Sequence, residues 1–285
     1  MKDESIIIVV PSYNNLTIKG EESLERCICS IEGAIEGMTK FFPHVKIYLS
    51  WVDDASTDAT PLFLEKRLAK LTIPYKLETL KVNSHQGYCR NHGVKAFSTK
   101  YIMFCDSDDE WFPNHIVQSY EAITSKDSHG RDIMMVSTQV FTAPDLQVHP
   151  EWAPRISSTI PFNKTMRREL FDFVEGFPVN DIYRKIGCED QSFMQIVDRF
   201  FHVLYVGNNT VRYHNYKGSF FDKQLPKFRL HPYFMGVAQE PGAAEKVDLY
   251  KAMNKSVNEK IEYLKEKLTY LDLNESFEGF CTKFM

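Results

Sequence analysis

Four short apolar runs, each ending in a cluster of small polar and acidic residues, constrain this chain more than any other feature. Ile6–Val10 leads into Pro11-Ser12-Tyr13-Asn14-Asn15, and Lys46–Val52 into Asp53-Asp54-Ala55-Ser56-Thr57-Asp58. Tyr75–Lys81 leads into Asn83-Ser84-His85-Gln86-Gly87, and Tyr101–Cys105 into Asp106-Ser107-Asp108-Asp109. The solid β-branched run at Ile6–Val10 is the pattern of a strand buried on both faces. Between the runs lie segments of helical rhythm. Leu24, Cys27, Ile28, Ile31 and Ile35 recur at helical spacing within 21–37, and 60–71 and 87–97 also read as helix. Strands alternating with helices at this spacing predict βαβ units and a mostly parallel sheet flanked by helices, an α/β fold. In such a sheet the carboxyl ends of the strands share one edge, where ligands bind. The four polar clusters are therefore expected to converge on one cleft.

Composition narrows the partners. The 285 residues carry Lys+Arg 34 against Asp+Glu 38, a net charge of -4 and a hydrophobic fraction of 43%. That supplies an ordinary globular core and excludes intrinsic disorder. The acidic balance argues against nucleic acid or an anionic membrane surface as partner. The start, Met1-Lys2-Asp3-Glu4-Ser5, carries acids where a secretory leader carries basic residues, and no apolar stretch approaches the ~18 residues of a spanning helix. A cytoplasmic protein without a transmembrane segment is expected. The six cysteines form no CxxC pair or regular framework, against structural zinc or a disulfide scaffold.

After Pro113 the pattern loosens. A helix is expected near 115–125 and a strand near 133–141, whereas Pro144, Pro150, Pro154 and Pro161 mark 142–162 as a long loop. A helix over 190–199, a strand over 202–206 and a loop over 217–242 follow. In the last part Tyr250, Val257, Ile261, Leu264, Leu268 and Leu271 fit a and d positions of a heptad, with Asn254 in one a slot. Such a helix either pairs two copies of the chain through 250–271 or lays its stripe on its own domain. Lys260 and Lys265 would face each other in a parallel pair, against that geometry.

The acids limit the ligand. Asp106, Asp108 and Asp109 crowd one strand end and would repel one another unless a cation sat among them. A few hard oxygen ligands suit Mg²⁺ or Mn²⁺ shared with substrate phosphates. A solvated acidic turn, or an Asp capping the next helix, is the competing reading. Asp54 could accept the imide N–H of a uracil with the Tyr13 ring packed on the base, or merely shape its turn. Arg90, at the start of a helix after Gly87, could meet phosphate or base. No GxGxxG, Walker-type or Gly-x-Ser-x-Gly sequence is present, which weighs against dinucleotide oxidoreductases, P-loop enzymes and α/β-hydrolases.

Ile8-Val-Val-Pro-Ser-Tyr-Asn14, Val52-Asp-Asp-Ala-Ser-Thr-Asp58, Gly87-Tyr-Cys-Arg-Asn-His-Gly93 and Phe104-Cys-Asp-Ser-Asp-Asp109 together resemble, in order, the signature of family 2 glycosyltransferases of the GT-A fold. Met166-Arg-Arg-Glu-Leu-Phe171, Glu175-Gly-Phe177 and Cys188-Glu-Asp-Gln191 extend the resemblance to about residue 215. It implies a Rossmann-like GT-A domain with a nucleotide-sugar half over 1–112, an acceptor half over 113–220 and a C-terminal loop and helical extension over 221–285. It also implies an inverting enzyme that moves a sugar from a nucleotide diphosphate, UDP favoured, to an acceptor hydroxyl on a glycan, lipid or small molecule. Pro11, Ser12, Tyr13, Asn15 and Asp54 would contact the nucleotide, with Arg90, Asp106 and Ser107 nearer ribose and phosphate. Asp106-Ser107-Asp108 matches the DXD motif, Asp108 being the metal ligand for Mn²⁺ or Mg²⁺ and Asp109 the alternative by an offset of one. In the Glu189-Asp190 pair, Asp190 matches the catalytic base, and its rival role is to cap the helix that follows.

The pattern departs from the family in two places. Cys89 stands where Ala often precedes the Arg. Val211-Arg-Tyr-His-Asn-Tyr-Lys-Gly218 replaces the Gln-x-x-Arg-Trp of processive members, which implies single addition. His214 could be a third metal ligand, and Arg212 or Lys217 could meet the diphosphate from a closing loop. Two other functions compete. A nucleotidyltransferase would need a basic Gly-rich loop after the first strand, and Pro11–Asn15 has neither Gly nor Lys/Arg. A non-catalytic nucleotide-sugar-binding or scaffold subunit would require Asp190 to be dispensable.

Overall fold

A computed structural model describes residues 4–232 and 243–272. Its strands are Ser5–Ser12 (β1), Lys46–Asp53 (β2), Tyr75–Thr79 (β3), Tyr101–Phe104 (β4), Glu110–Trp111 (β5), Met135–Thr142 (β6), Lys164–Arg167 (β7) and Val203–Tyr213 (β8). Its helices are Asn15–Ile18 (α1), Glu21–Phe41 (α2), Thr60–Leu68 (α3), Gln86–Val94 (α4), His115–Thr124 (α5), Ala153–Thr159 (α6), Arg168–Val174 (α7), Asp181–Ile186 (α8), Glu189–Phe200 (α9), Phe220–Phe228 (α10) and Ala243–Asp272 (α11). Short 3₁₀ turns at Pro144–Leu146 and Pro150–Trp152 precede α6.

One sheet runs through both halves in the order β3-β2-β1-β4-β7-β6-β8-β5. β1, β2, β3 and β4 are parallel, with Ile6 opposite both Ile47 and Tyr101. β7 is antiparallel to β4 and β6, and β5 to β8, so the far half is mixed. β1 is buried along its whole length because each face meets a different core. Ile6, Ile8 and Val10 pack against Leu24, Cys27, Ile28 and Ile31 of α2. Ile7 and Val9 pack with Val94 of α4, Phe171 of α7 and Phe193 and Val197 of α9. Each such aliphatic side chain contributes about 1.5–3 kcal/mol when buried. Gly93 lets α4 lie against β1: a Cβ there would stand 2.4 Å from Val9 Cγ1.

Several elements differ from the sequence expectations. The supposed loop at 142–162 contains α6, and Pro154 lies in its first turn, where a missing N–H leaves no bond unmade. The supposed loop at 217–242 contains α10, capped by Ser219 Oγ accepting from the Asp222 N–H at 3.0 Å; 233–242 lie outside the described residues. α10 and the 144–160 stretch share a small core of Trp152, Ile156, Phe221 and Leu225. Residues on both sides of 220 thus share one packed cluster.

The stripe of α11 is spent within the chain. Val257 and Leu264, with Ile261 and Leu268 beside them, join the core of α7 and α9, and Met253 packs on Tyr183 and Ile186 of α8. Of the two alternatives the sequence left open, Val257, Ile261, Leu264 and Leu268 take the second, packing on the chain's own domain, and Lys260 pairs with Glu175. Among the described residues no helix is long and apolar enough to cross a membrane.

Candidate active site

The carboxyl ends of β1, β2 and β4 open into one cleft of about 530 Å³, completed by the loops before α4 and α9 and by the segments 156–162 and 213–228. Its rim at the ends of β1 and β2 is a hydrogen-bonded lattice. Asn14 Oδ1 accepts the Thr57 N–H at 2.7 Å and ties the ends of β1 and β2. Ser12 Oγ accepts from Trp51 Nε1 at 2.9 Å, and Asp53 accepts the Ser56 N–H at 2.9 Å. Burial raises the Asp53 carboxyl above its ordinary value, against the Ser56 and Ser12 hydrogen bonds. Asp54 lines the cleft and accepts the N–H groups of Ser84 and His85 at 2.6 and 2.8 Å. Tyr13 stands 40% exposed at the mouth, free to pack on a flat ligand. Asn15 is wholly buried and donates to Ser107 Oγ at 2.8 Å, so it braces the β4 loop.

The non-glycine residues Asn14 (φ 45°), Ala55 (61°), His85 (70°) and Cys188 (68°) hold left-handed backbone around this opening. Such conformations persist only where the surrounding structure fixes them, and they collect at ligand sites.

Charge is concentrated on the floor. The Arg90 guanidinium is buried over the Phe177 ring at 5.4 Å and links two acids: Nη2 lies 2.6 Å from Asp106 Oδ1 and Nη1 3.5 Å from Glu189 Oε1. Asp108 Oδ2 lies 3.0 Å from Lys19 Nζ, which sits 5.3 Å from the centre of the Tyr216 ring. Burial alone would lower the Lys19 pKa, but Asp108 and Tyr216 outweigh it and hold the ammonium charged. Asp109 accepts the His214 N–H at 2.8 Å and is only 2% exposed. Burial first, then repulsion from Asp108 and Asp106, pushes its carboxyl well above the usual range. Two cations thus face three crowded acids, of which Asp109 is pushed toward its neutral form. The hard oxygen donors Asp106 and Asp108 fit a divalent ion that takes its remaining ligands from substrate phosphate and water. Among the described residues no group of three or more His, Cys, Asp or Glu would hold a metal alone.

Asp190 faces this floor from the first turn of α9. Cys188 is the N-cap, and Asp190 Oδ1 accepts the Gln191 N–H at 2.7 Å. Burial, with repulsion from Glu189, pushes the Asp190 carboxyl up to about 7 despite the opposing pull of Arg90. Gly87 makes the approach of α9 to α4 possible, since a Cβ there would come within 2.9 Å of Glu189 Cγ. The opposite wall is apolar and aromatic: Ile156, Ile160, Phe162, Tyr213, Phe221 and Phe228 line it.

The structure thus brings Pro11, Ser12, Tyr13, Asp54, Arg90, Asp106, Ser107, Asp108, Glu189 and Asp190 to one cleft. Four expected residues are not among those lining it: Asn15, which is buried behind the rim on Ser107, and His214, Arg212 and Lys217. His214 Nε2 lies 2.9 Å from Glu110 Oε2, and Arg212 pairs with Glu110 and sits over the Phe112 and Phe141 rings. The cause is strand alternation: Tyr213 faces the cleft, so its neighbours point elsewhere. Lys217 is exposed on the following turn, where its neighbour Tyr216 lines the cleft instead. Asn91 grips the Phe177 backbone through both amide atoms at 2.8 Å and has no place in the cleft lining. Sequence reasoning missed Lys19, Gln86, Gln191 and Tyr216. Lys19 had a signal, as the one basic residue between β1 and α2, but it lies beyond the Pro11–Asn15 cluster.

A sequence signature of Glycosyl transferase family 2 matches residues 7–185, well over half the chain. The chain belongs to this family. Among curated family-related proteins it is 29% identical over 143 residues to the amylovoran biosynthesis glycosyltransferase AmsB of Erwinia amylovora, covering 49% of this chain and 42% of AmsB. It is 28% identical over 130 residues to the poly(ribitol-phosphate) β-N-acetylglucosaminyltransferase TarS of Staphylococcus aureus, covering 45% of this chain and 20% of TarS. The chain thus matches less than half of either relative. The family fold recurs in solved structures. TarS residues 1–349 in complex with UDP-GlcNAc superpose with a TM-score of 0.60 at 16% identity, over 98% of this chain and 92% of that one. The mannosyltransferase PcManGT of Pyrobaculum calidifontis, in complex with GDP-Man and Mn²⁺, gives 0.53 at 12% identity, over 97% and 77%. The fold is therefore that of the GT-A enzymes expected from the sequence, with a C-terminal helix.

Proposed function

We propose that this family 2 protein is an inverting glycosyltransferase that moves one sugar from a UDP-linked donor to an acceptor hydroxyl. One observation carries the reading: Asp54, the Asp106–Asp108 pair and Asp190 border a single cleft large enough for a nucleotide sugar. The UDP-GlcNAc bound to TarS supports the choice of donor.

In this reading the base lies between Tyr13 and Asp54, whose carboxylate accepts the uracil imide N–H. Ser107 and Asp106 meet the ribose and the first phosphate. Asp108, with Asp106, would hold a divalent ion, which when bound neutralises charge on the leaving diphosphate. The Mn²⁺ seen with GDP-Man in PcManGT supports this assignment. Asp109 is set aside as ligand because its side chain is almost wholly buried, with Oδ1 on the His214 N–H, whereas Asp108 reaches into the cleft beside Lys19. The acceptor lies along the aromatic wall, and its hydroxyl oxygen attacks the anomeric carbon from the face opposite the diphosphate. A bond forms between acceptor oxygen and anomeric carbon, the bond from that carbon to the phosphate oxygen breaks, UDP departs with the electron pair, and Asp190 takes the acceptor proton. Arg90 holds Asp106 and Glu189 in register so that donor and base meet correctly.

Calorimetric titration with UDP and GDP, each with and without Mn²⁺, tests this assignment. UDP binding strengthened by Mn²⁺, with GDP weaker, is expected. Failure of both nucleotides would sink the donor assignment.

A further inference from the structure

Lys19 is unaccounted for by the roles assigned so far. It lies in the short connection between α1 and α2, and its side chain is 15% exposed inside the cleft. Its ammonium rests 3.0 Å from Asp108 Oδ2 on one side and against the Tyr216 ring on the other. A cation placed there neutralises the carboxylate through which Asp108 would bind a divalent ion and takes up its Oδ2. It also stands among the residues, Asp106 and Ser107 included, where the donor's phosphates must lie. A flexible four-carbon stem lets a lysine exchange one anion for another without moving backbone.

We propose that Lys19 is a tethered cation exchanged between two anions: it neutralises Asp108 in the empty cleft and moves to the donor's diphosphate when Asp108 takes the metal. This rests on the reading of Asp108 as metal ligand and of UDP as the nucleotide. In the empty site Lys19 spares Asp108 an unpaired, desolvated charge. In the loaded site the diphosphate gives Lys19 a more strongly charged partner than the carboxylate it leaves. Lys19 therefore opposes metal binding to the free protein and favours nucleotide binding, two effects of opposite sign from one side chain. A purely structural lysine produces no such pair of signs.

The test uses calorimetry on the whole chain with three probes: Mn²⁺ alone, UDP without metal, and uridine without metal. Lys19→Met keeps the length and apolar stem and removes the charge. It should bind Mn²⁺ about three- to tenfold more tightly than the parent and UDP about three- to tenfold more weakly, the range for a largely shielded ion pair. Uridine, which lacks phosphate, should bind both proteins equally. Lys19→Arg should restore UDP binding toward the parent value and guards against a folding defect in the first variant. Loss of Mn²⁺ and UDP affinity together, or no change in either, overturns the exchange. Asp108→Asn separates the underlying reading: if it leaves Mn²⁺ affinity unchanged, the metal assignment falls and the exchange with it. If the parent binds GDP and not UDP, the base assignment alone changes and the pair GDP and guanosine replaces UDP and uridine.

Discussion

Arg90 Nη2 lies 2.6 Å from Asp106 Oδ1, at the end of β4. The same guanidinium reaches Glu189, next to Asp190, so one buried arginine spans the interval between the end of β4 and the start of α9. It is 1% exposed and Glu189 4%, so neither charge can turn to water if the other is removed. Removing one member of such a set typically costs about 3–5 kcal/mol, mostly from the charges left unpaired. Arg90→Met is accordingly expected to lose that much stability, and Arg90→Lys less. Urea unfolding followed by far-UV circular dichroism would measure both; an Arg90→Met midpoint equal to the parent's would show that the bridge contributes nothing to the fold.

Asp190 has its carboxyl pushed up to about 7 by burial and by Glu189. A general base acts only when deprotonated, so transfer should rise with pH through about 7 and level off above it, provided the acceptor hydroxyl stays neutral. Asp190→Asn should still bind UDP but lose turnover by about 10²-fold or more, and its residual rate should lack that limb. A variant retaining near-normal kcat would assign Asp190 to the α9 turn, where it already accepts the Gln191 N–H.

The donor half was readable because its signals are local. Ile6–Val10 announces a two-sided strand without help from the rest of the chain, and each acidic cluster abuts its own strand. The second half depends on contacts between distant segments. β7, Lys164–Arg167, has cations at both ends and reads as surface, yet all four residues are buried. Lys164 Nζ is accommodated by the Ser157 carbonyl and Asn163 Oδ1, and burial lowers its pKa to about 7. Arg167 donates to the Ile133 carbonyl at 2.9 Å and pairs with Asp132. No periodicity could reveal such partners. His214, Arg212 and Lys217 were chosen by residue type, and none of them lines the cleft. The heptad of α11 was read correctly as an apolar stripe, but a stripe alone does not say which surface covers it.

Asp108 and Asp109 are adjacent in sequence and differ in circumstance, which makes them separable. Asp108 is paired with the Lys19 ammonium, whereas the Asp109 side chain is buried and accepts the His214 N–H. Asp108→Asn should abolish the Mn²⁺ dependence of UDP binding while leaving the fold intact. Asp109→Asn keeps an oxygen acceptor for His214 and should retain that dependence. Calorimetry of the two variants side by side decides the matter; the reverse pattern would move the metal to Asp109.

Glu175, at the left-handed end of α7, clamps α11 onto the domain. Lys260 pairs with it, and Lys267 Nζ and Tyr263 Oη each lie 3.1 Å from Oε1. Burial would raise its pKa, but the hydrogen bonds from Lys260 and Lys267 outweigh that and lower it to about 2 from an ordinary 4.5. The unfolded chain therefore takes up this proton at higher pH than the folded one. The stabilisation is complete above about 4.5 and is lost as the pH falls toward 2. Because Glu175 is 40% exposed, solvent screens the interaction and keeps it modest. Glu175→Gln should be less stable than the parent at pH 6, and the gap should be clearly smaller at pH 2.5, closing only below the folded pKa of about 2. Urea midpoints of the two proteins at both pH values test this. A gap of equal size at both would mean that α11 is held by its apolar stripe without help from the ionised carboxylate.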